Sequence, residues 1–107
     1  MPDLKTIQEV NRHEQLREDA LKLATEVMRK KIQDYGHWLT YPEVVLAAQV
    51  YTKSRRLLEL TIQRAANPDI APKNEPMLDS CIDLINYASY LHSVRSFTNM
   101  RAKGGGK

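Results

Sequence analysis

Apolar residues recur three or four positions apart along almost the whole chain, the spacing of one face of an α-helix. Leu4, Ile7 and Val10 open the pattern, and Thr6 followed by Glu9 has the spacing of a capping box, so a short leading helix is predicted over 3–13. At Asn11-Arg12-His13 the helix either breaks or runs straight on, and both readings stay open. From about Glu14 to Asp34, Leu16, Ala20, Leu23, Ala24, Val27 and Met28 form the inner face of a long helix, with Glu18, Lys22, Thr25 and Arg29 opposite. Gly36 is expected to end it, because glycine alone enters positive φ freely. Arg29, Lys30 and Lys31 in the expected last turn suit the negative end of the helix dipole, and Asp34 does not. That misfit marks Asp34 either as a ligand or as an acceptor for its own loop.

His37-Trp38-Leu39 reads as a turn in which the single tryptophan packs the helix ends together. Thr40 and Glu43 repeat the capping-box spacing with Pro42 in the first turn, and the helix they predict runs to Ala66 before Asn67-Pro68. Its apolar positions cover more than half of its girth, leaving a stripe of Gln49, Thr52, Lys53, Arg56, Glu59 and Gln63. Pro68, Pro72 and Pro76 make residues 67–76 an irregular connection, either crossing the bundle end or forming a lid. A last helix is predicted over 76–96. The expected fold is all-α: three long helices plus the short N-terminal one, in a single domain over 1–97 with a flexible basic tail over 98–107. So much apolar helix surface in 107 residues predicts that a dimer or higher homo-oligomer completes the bundle.

The last helix is apolar on every side but one. Asp79, Asp83, Asn86, Tyr90 and Ser93 follow one another at i, i+4, i+7, i+11 and i+14. Either this stripe faces solvent, or it is a polar site set into a helical core. Asp79 and Asp83 share a face about 6 Å apart, a spacing that suits one Mg²⁺ with open positions for water and phosphate oxygens. Lys53 and Arg56 share a face on the preceding helix and suit a phosphate clamp. The competing reading pairs those carboxylates with Lys53 and Arg56 in an ion-pair ladder that only sets helix register.

Composition narrows the classes. A net charge of +3 favours anionic partners mildly, without the dense basic patch of a nucleic-acid binder, so nucleic acid is not the expected partner. The one cysteine, Cys81, sits on an apolar face and points to a reducing cytoplasm. No apolar run reaches the ~20 residues of a membrane span, and no signal-peptide core follows the N-terminus. Gly36 is the one glycine ahead of the C-terminal residues, which leaves no phosphate-binding glycine loop. His13, His37 and His92 are scattered and form no metal motif with Cys81.

Taken together, Lys31-x-x-Asp34-Tyr35-Gly36, Trp38, Lys53-x-x-Arg56 and Asp83-Leu-Ile-Asn86-Tyr87-Ala88 resemble the nucleotide-modification-associated helical domain found in phages and bacteria. More distantly, they resemble the all-α MazG-like nucleoside triphosphate pyrophosphohydrolases. The resemblance spans residues 14–95. It implies an oligomeric helical nucleotide-binding fold and Mg²⁺-dependent release of pyrophosphate by metal-activated water. The implied roles are metal binding and catalysis for Asp79 and Asp83, phosphate contact for Lys31, Lys53 and Arg56, and base or sugar contact for Asp34, Tyr35 and Asn86. The chain departs from the MazG pattern: the early helix lacks Glu-Glu-x-x-Glu, and the later one has Asp79-x-x-x-Asp83 where the pattern has Glu-x-x-Asp. The alternative expectation is a helical interaction protein that inhibits or sequesters a host factor or signalling nucleotide without turnover.

Overall fold

A computed structural model describes residues 3–68 and 74–104, the side chains of 74–76 and 102–104 excepted. The fold is all-α. Helix α1 spans Leu4–Tyr35, a 3₁₀ turn spans Trp38–Thr40, α2 spans Glu43–Ala66 and α3 spans Asn74–Gly104.

The expected leading helix and first long helix are one element. Asn11-Arg12-His13 continues the hydrogen-bonded ladder, and α1 runs for 32 residues, about 48 Å. Its N-cap is Asp3, not Thr6. The Asp3 carboxylate accepts from the Thr6 backbone N–H at 2.8 Å, and that bond holds its carboxyl below the ordinary value. At the other end Gly36 has φ 87° and donates its N–H to the Ile32 carbonyl at 2.9 Å, as a terminal glycine should. Because the helix reaches Tyr35, its last turn holds no basic residue, and Arg29, Lys30 and Lys31 stand a turn earlier than expected.

The capping box at Thr40 does not form. Thr40 belongs to the 3₁₀ turn and donates its hydroxyl to the His37 carbonyl at 2.9 Å, while Pro42 occupies the N-cap of α2 without a side-chain bond. The turn is held instead by His37, whose Nδ1 accepts from the Leu39 N–H at 3.0 Å. Helix α2 ends at Ala66 as expected. The proline-marked connection over 67–76 falls largely outside the described residues, which resume at 74. Helix α3 continues eight residues past Ser96, so residues 98–104 of the expected tail are helical, and 105–107 lie outside the description.

Helix α3 is the middle of the assembly, packing against α2, α1 and the 3₁₀ turn. Glu43 of α2 meets Arg95 of α3, and Lys53 meets Asp83, so the two helices run antiparallel. Ala24 meets Asn86 and Lys31 meets Asp83, so α1 also opposes α3. The buried set is small: Ala24, Leu46, Ile82 and Tyr90, with polar Ser80 and Asn86 among them. Asp3 and residues 4–19 of α1 are exposed throughout. The radius of gyration is 17.9 Å, where a compact domain of this length has about 13 Å. The surface is 8872 Å², against about 6,100 Å² for a compact 12.3 kDa monomer. No helix among the described residues is long and apolar enough to cross a membrane.

Candidate functional site

Asp83 lies where all three helices meet. Its Oδ1 is 3.0 Å from Lys31 Nζ on α1, and its Oδ2 is 3.2 Å from Lys53 Nζ on α2. Burial works against the charged carboxylate, but hydrogen bonds and charge from the two lysines outweigh it and leave the carboxyl below its ordinary value. Two ammonium groups share one carboxylate, so the node carries a formal charge of +1 in a half-buried setting. One turn on, Asn86 is buried and donates its amide N–H to the Ala24 carbonyl at 3.0 Å. This places a second polar tie on the same side of α3. After another turn, Tyr90 lies flat on Trp38, ring centroids 4.7 Å apart and planes 5° from parallel, with Tyr87 against its edge at 5.7 Å. Burial, then the neighbouring Tyr87 and Asp83, pushes the Tyr90 hydroxyl up to about 12.

The polar stripe therefore divides. Asp83, Asn86 and Tyr90 turn inward against α1, α2 and the 3₁₀ turn, while Asp79 and Ser93 at its ends are exposed. The solvent-face reading holds for the ends alone.

Beside the node lies a cleft of ≈ 170 Å³. Lys31, Tyr35, Gly36, Trp38, Asn86 and Tyr87, all drawn from the motifs singled out in the sequence, line it together with Met28 and Tyr41. A space near 150 Å³ holds one benzene ring, so this cleft has room for one planar ring and not for a whole nucleotide. The mouth is aromatic and open, with Tyr35 78% and Tyr41 43% exposed.

Of the residues expected to form a site, Lys31, Tyr35 and Asn86 share the cleft, and Lys31, Lys53 and Asp83 share the node. Asp34, Arg56 and Asp79 are exposed and belong to neither. Arg56 takes no part in the ion pairs of the described residues, so the expected Lys53–Arg56 clamp is not assembled. Lys31 as the partner of Asp83 was not foreseen. The signal was its register: it stands seven residues after Ala24, a lysine on the face that otherwise turns apolar side chains to α3. Tyr41 carried no signal in the sequence.

The Mg²⁺ implied by the resemblance would need free carboxylate oxygens. Both Asp83 oxygens face ammonium groups, which repel a divalent cation, and Asp79 is exposed a turn away. Among the described residues no three His, Cys, Asp or Glu side chains cluster to hold a metal. In this arrangement the carboxylates do not fit a Mg²⁺ centre. Comparisons with known protein families, curated proteins and solved structures give no match for the chain.

Proposed function

We propose that this protein binds a nucleotide without hydrolysing it and works as a homo-oligomer. The base sits in the aromatic cleft, and the phosphates extend towards the cationic node. What carries this reading is Lys31, which belongs to both places: its side chain lines the one-ring cleft and its ammonium sits in a node with an excess positive charge. Tyr35, Tyr41 and Tyr87 offer ring faces and edges to a base, and Lys31 and Lys53 offer charge-assisted hydrogen bonds to phosphate. Binding is favoured over pyrophosphate release because the Asp83 carboxylate is occupied by two lysines and Asp79 stands apart, exposed to solvent.

The test is a thermal-shift panel of nucleosides and nucleotides with and without Mg²⁺, since a ligand of the folded state raises the melting temperature by mass action. A nucleotide should raise it without Mg²⁺, and the matching nucleoside should raise it less. Lys31→Met should weaken nucleotide binding by about tenfold or more, the worth of one hydrogen bond to a charged group. No shift with any nucleotide removes the proposal. A shift that appears only with Mg²⁺ removes its metal-free form and favours the hydrolase reading. A second reading, a helical interaction protein that sequesters a host factor, is supported by the exposed apolar face of α2, where Val44 is 73% and Tyr51 66% exposed.

A further inference from the structure

Helix α2 carries an uncharged seam about a third of a turn round from Lys53 and Leu46, the residues it turns to α3. Val44, Tyr51 and Leu58 recur every seven residues, and Ala47, Ser54 and Thr61 follow each of them by three, the a and d positions of three heptads. All six are exposed, Leu58 by 61%, and Ile62 widens the stripe with 59%. Between Val44 and Thr61, two β-branched residues of similar size, the series runs small, large, small, large: Ala47, Tyr51, Ser54 and Leu58. The Thr61 hydroxyl is already used by the Leu57 carbonyl at 2.8 Å, so it asks nothing of a partner. Soluble monomers rarely leave a long apolar stripe of this kind uncovered.

We infer that the seam is the docking surface for α2 of a second copy of this chain, running antiparallel about a two-fold axis that passes between Thr52 and Lys53. This makes specific the oligomeric half of the proposed function and is independent of its nucleotide half. The order of side-chain sizes selects the orientation. With the axis there, Val44 faces the partner's Thr61, Ala47 faces the partner's Leu58 and Tyr51 faces the partner's Ser54, and symmetry repeats each pair. Large meets small in the four central layers and the two end layers pair the similar-sized Val44 and Thr61, which lets the side chains interdigitate at native density. A parallel pairing in register would set Tyr51 on the partner's Tyr51 and Ala47 on the partner's Ala47, alternating crowded layers with hollow ones. The two-fold also makes the face self-complementary, as a closed dimer requires. Room is available for the incoming Leu58 side chain. An open groove of ≈ 890 Å³ between α2 and α3 starts at Val44 and Ala47 and continues along Leu91 and Arg95. The chain exposes about 2,800 Å² more than a compact monomer of its mass, shared between this face and the first half of α1, where a stable interface takes about 800 Å² from each partner.

The experiment combines light scattering with disulfide trapping in a Cys81→Ser background. The parent chain should elute at twice its mass, and Leu58→Arg should elute at the monomer mass with its helical circular dichroism retained. A chain carrying both Ala47→Cys and Leu58→Cys should be trapped as a covalent dimer under mild oxidation. Ala47→Cys alone should not, because its two copies would be offset by eleven residues, about 16 Å along the seam, beyond disulfide reach. A parent chain that stays monomeric at every concentration overturns the inference, as does a Leu58→Arg chain that still dimerises. Trapping of Ala47→Cys alone overturns the antiparallel register. None of these outcomes decides whether nucleotide raises the melting temperature, so the two halves of the function fail separately.

Discussion

The node around Asp83 and the outer stripe of α2 invert the usual arrangement of a globular domain. At the node, a carboxylate, two lysines and an asparagine amide are drawn inward and satisfied by one another or by backbone. On the outer stripe and along the first half of α1, leucine, isoleucine, valine and tyrosine side chains face outward. The polar contacts are specific and join all three helices, while the apolar faces are extensive and uncovered. A polar contact that must find one partner at one distance sets helix register. An apolar face accepts any complementary surface and so suits assembly. The comparison predicts that variants at the inner contacts will cost folding stability, and that variants on the outer faces will cost association instead.

The largest effect on stability should come from Leu46, among the described residues the one large side chain with no exposure. Leu46→Ala should lose about 2–5 kcal/mol, the cost of lost burial plus an unfilled cavity, a large share of the roughly 5–15 kcal/mol typical of a whole domain. Urea denaturation followed by circular dichroism measures it. A loss below about 1 kcal/mol would mean that α2 and α3 collapse onto the space, and that the inner packing is as adaptable as the outer faces.

Asp83→Ala comes next. It leaves two lysines facing each other in a half-buried place, and the expected loss is about 1–3 kcal/mol, between the values for exposed and buried pairs. The pH dependence has a definite sign. The folded-state carboxyl of Asp83 lies below its unfolded value, so its contribution is present above the unfolded carboxylate range near pH 4 and is lost as pH falls through the folded value. Parent and Asp83→Ala chains should therefore differ most at neutral pH and converge in acid. A difference that persists in acid would show that Asp83 acts through packing and not through its charge.

Legibility in the sequence follows the same division. The all-α fold, the end of α2 at Ala66 and the glycine stop at Gly36 were readable, because apolar periodicity and positive φ are local properties. Both capping boxes were misread for one reason: a side-chain acceptor three residues from a glutamate is common. At the start of α1 Asp3 took the cap, and at the start of α2 the 3₁₀ turn absorbed Thr40. The inward stripe was legible as far as Asp83 and Asn86. Their partners Lys31 and Ala24 lie 52 and 62 residues away, a distance that no local spacing reports. The Trp38–Tyr90 stack was half legible. The tryptophan was expected to join helix ends, but its partner depends on how the 3₁₀ turn meets α3.

The smallest effect should fall on the first half of α1, and it sharpens the contrast most. Ile7 is 44% and Val10 49% exposed, and both lie in a stretch where every residue from 3 to 19 is exposed. Replacing both with serine alters exposed positions alone, so the expected change in urea stability is within about 0.5 kcal/mol, the range for surface substitutions. The helix itself should persist, because its Asp3 cap and its backbone ladder do not depend on those side chains. A loss of about 2 kcal/mol or more, approaching that of Leu46→Ala, would mean that this arm is covered in solution. Since nothing among the described residues covers it, cover by another chain would make the loss grow as protein concentration rises. A small loss that does not vary with concentration leaves the α2 seam as the face on which two copies meet, with the arm of α1 outside the contact.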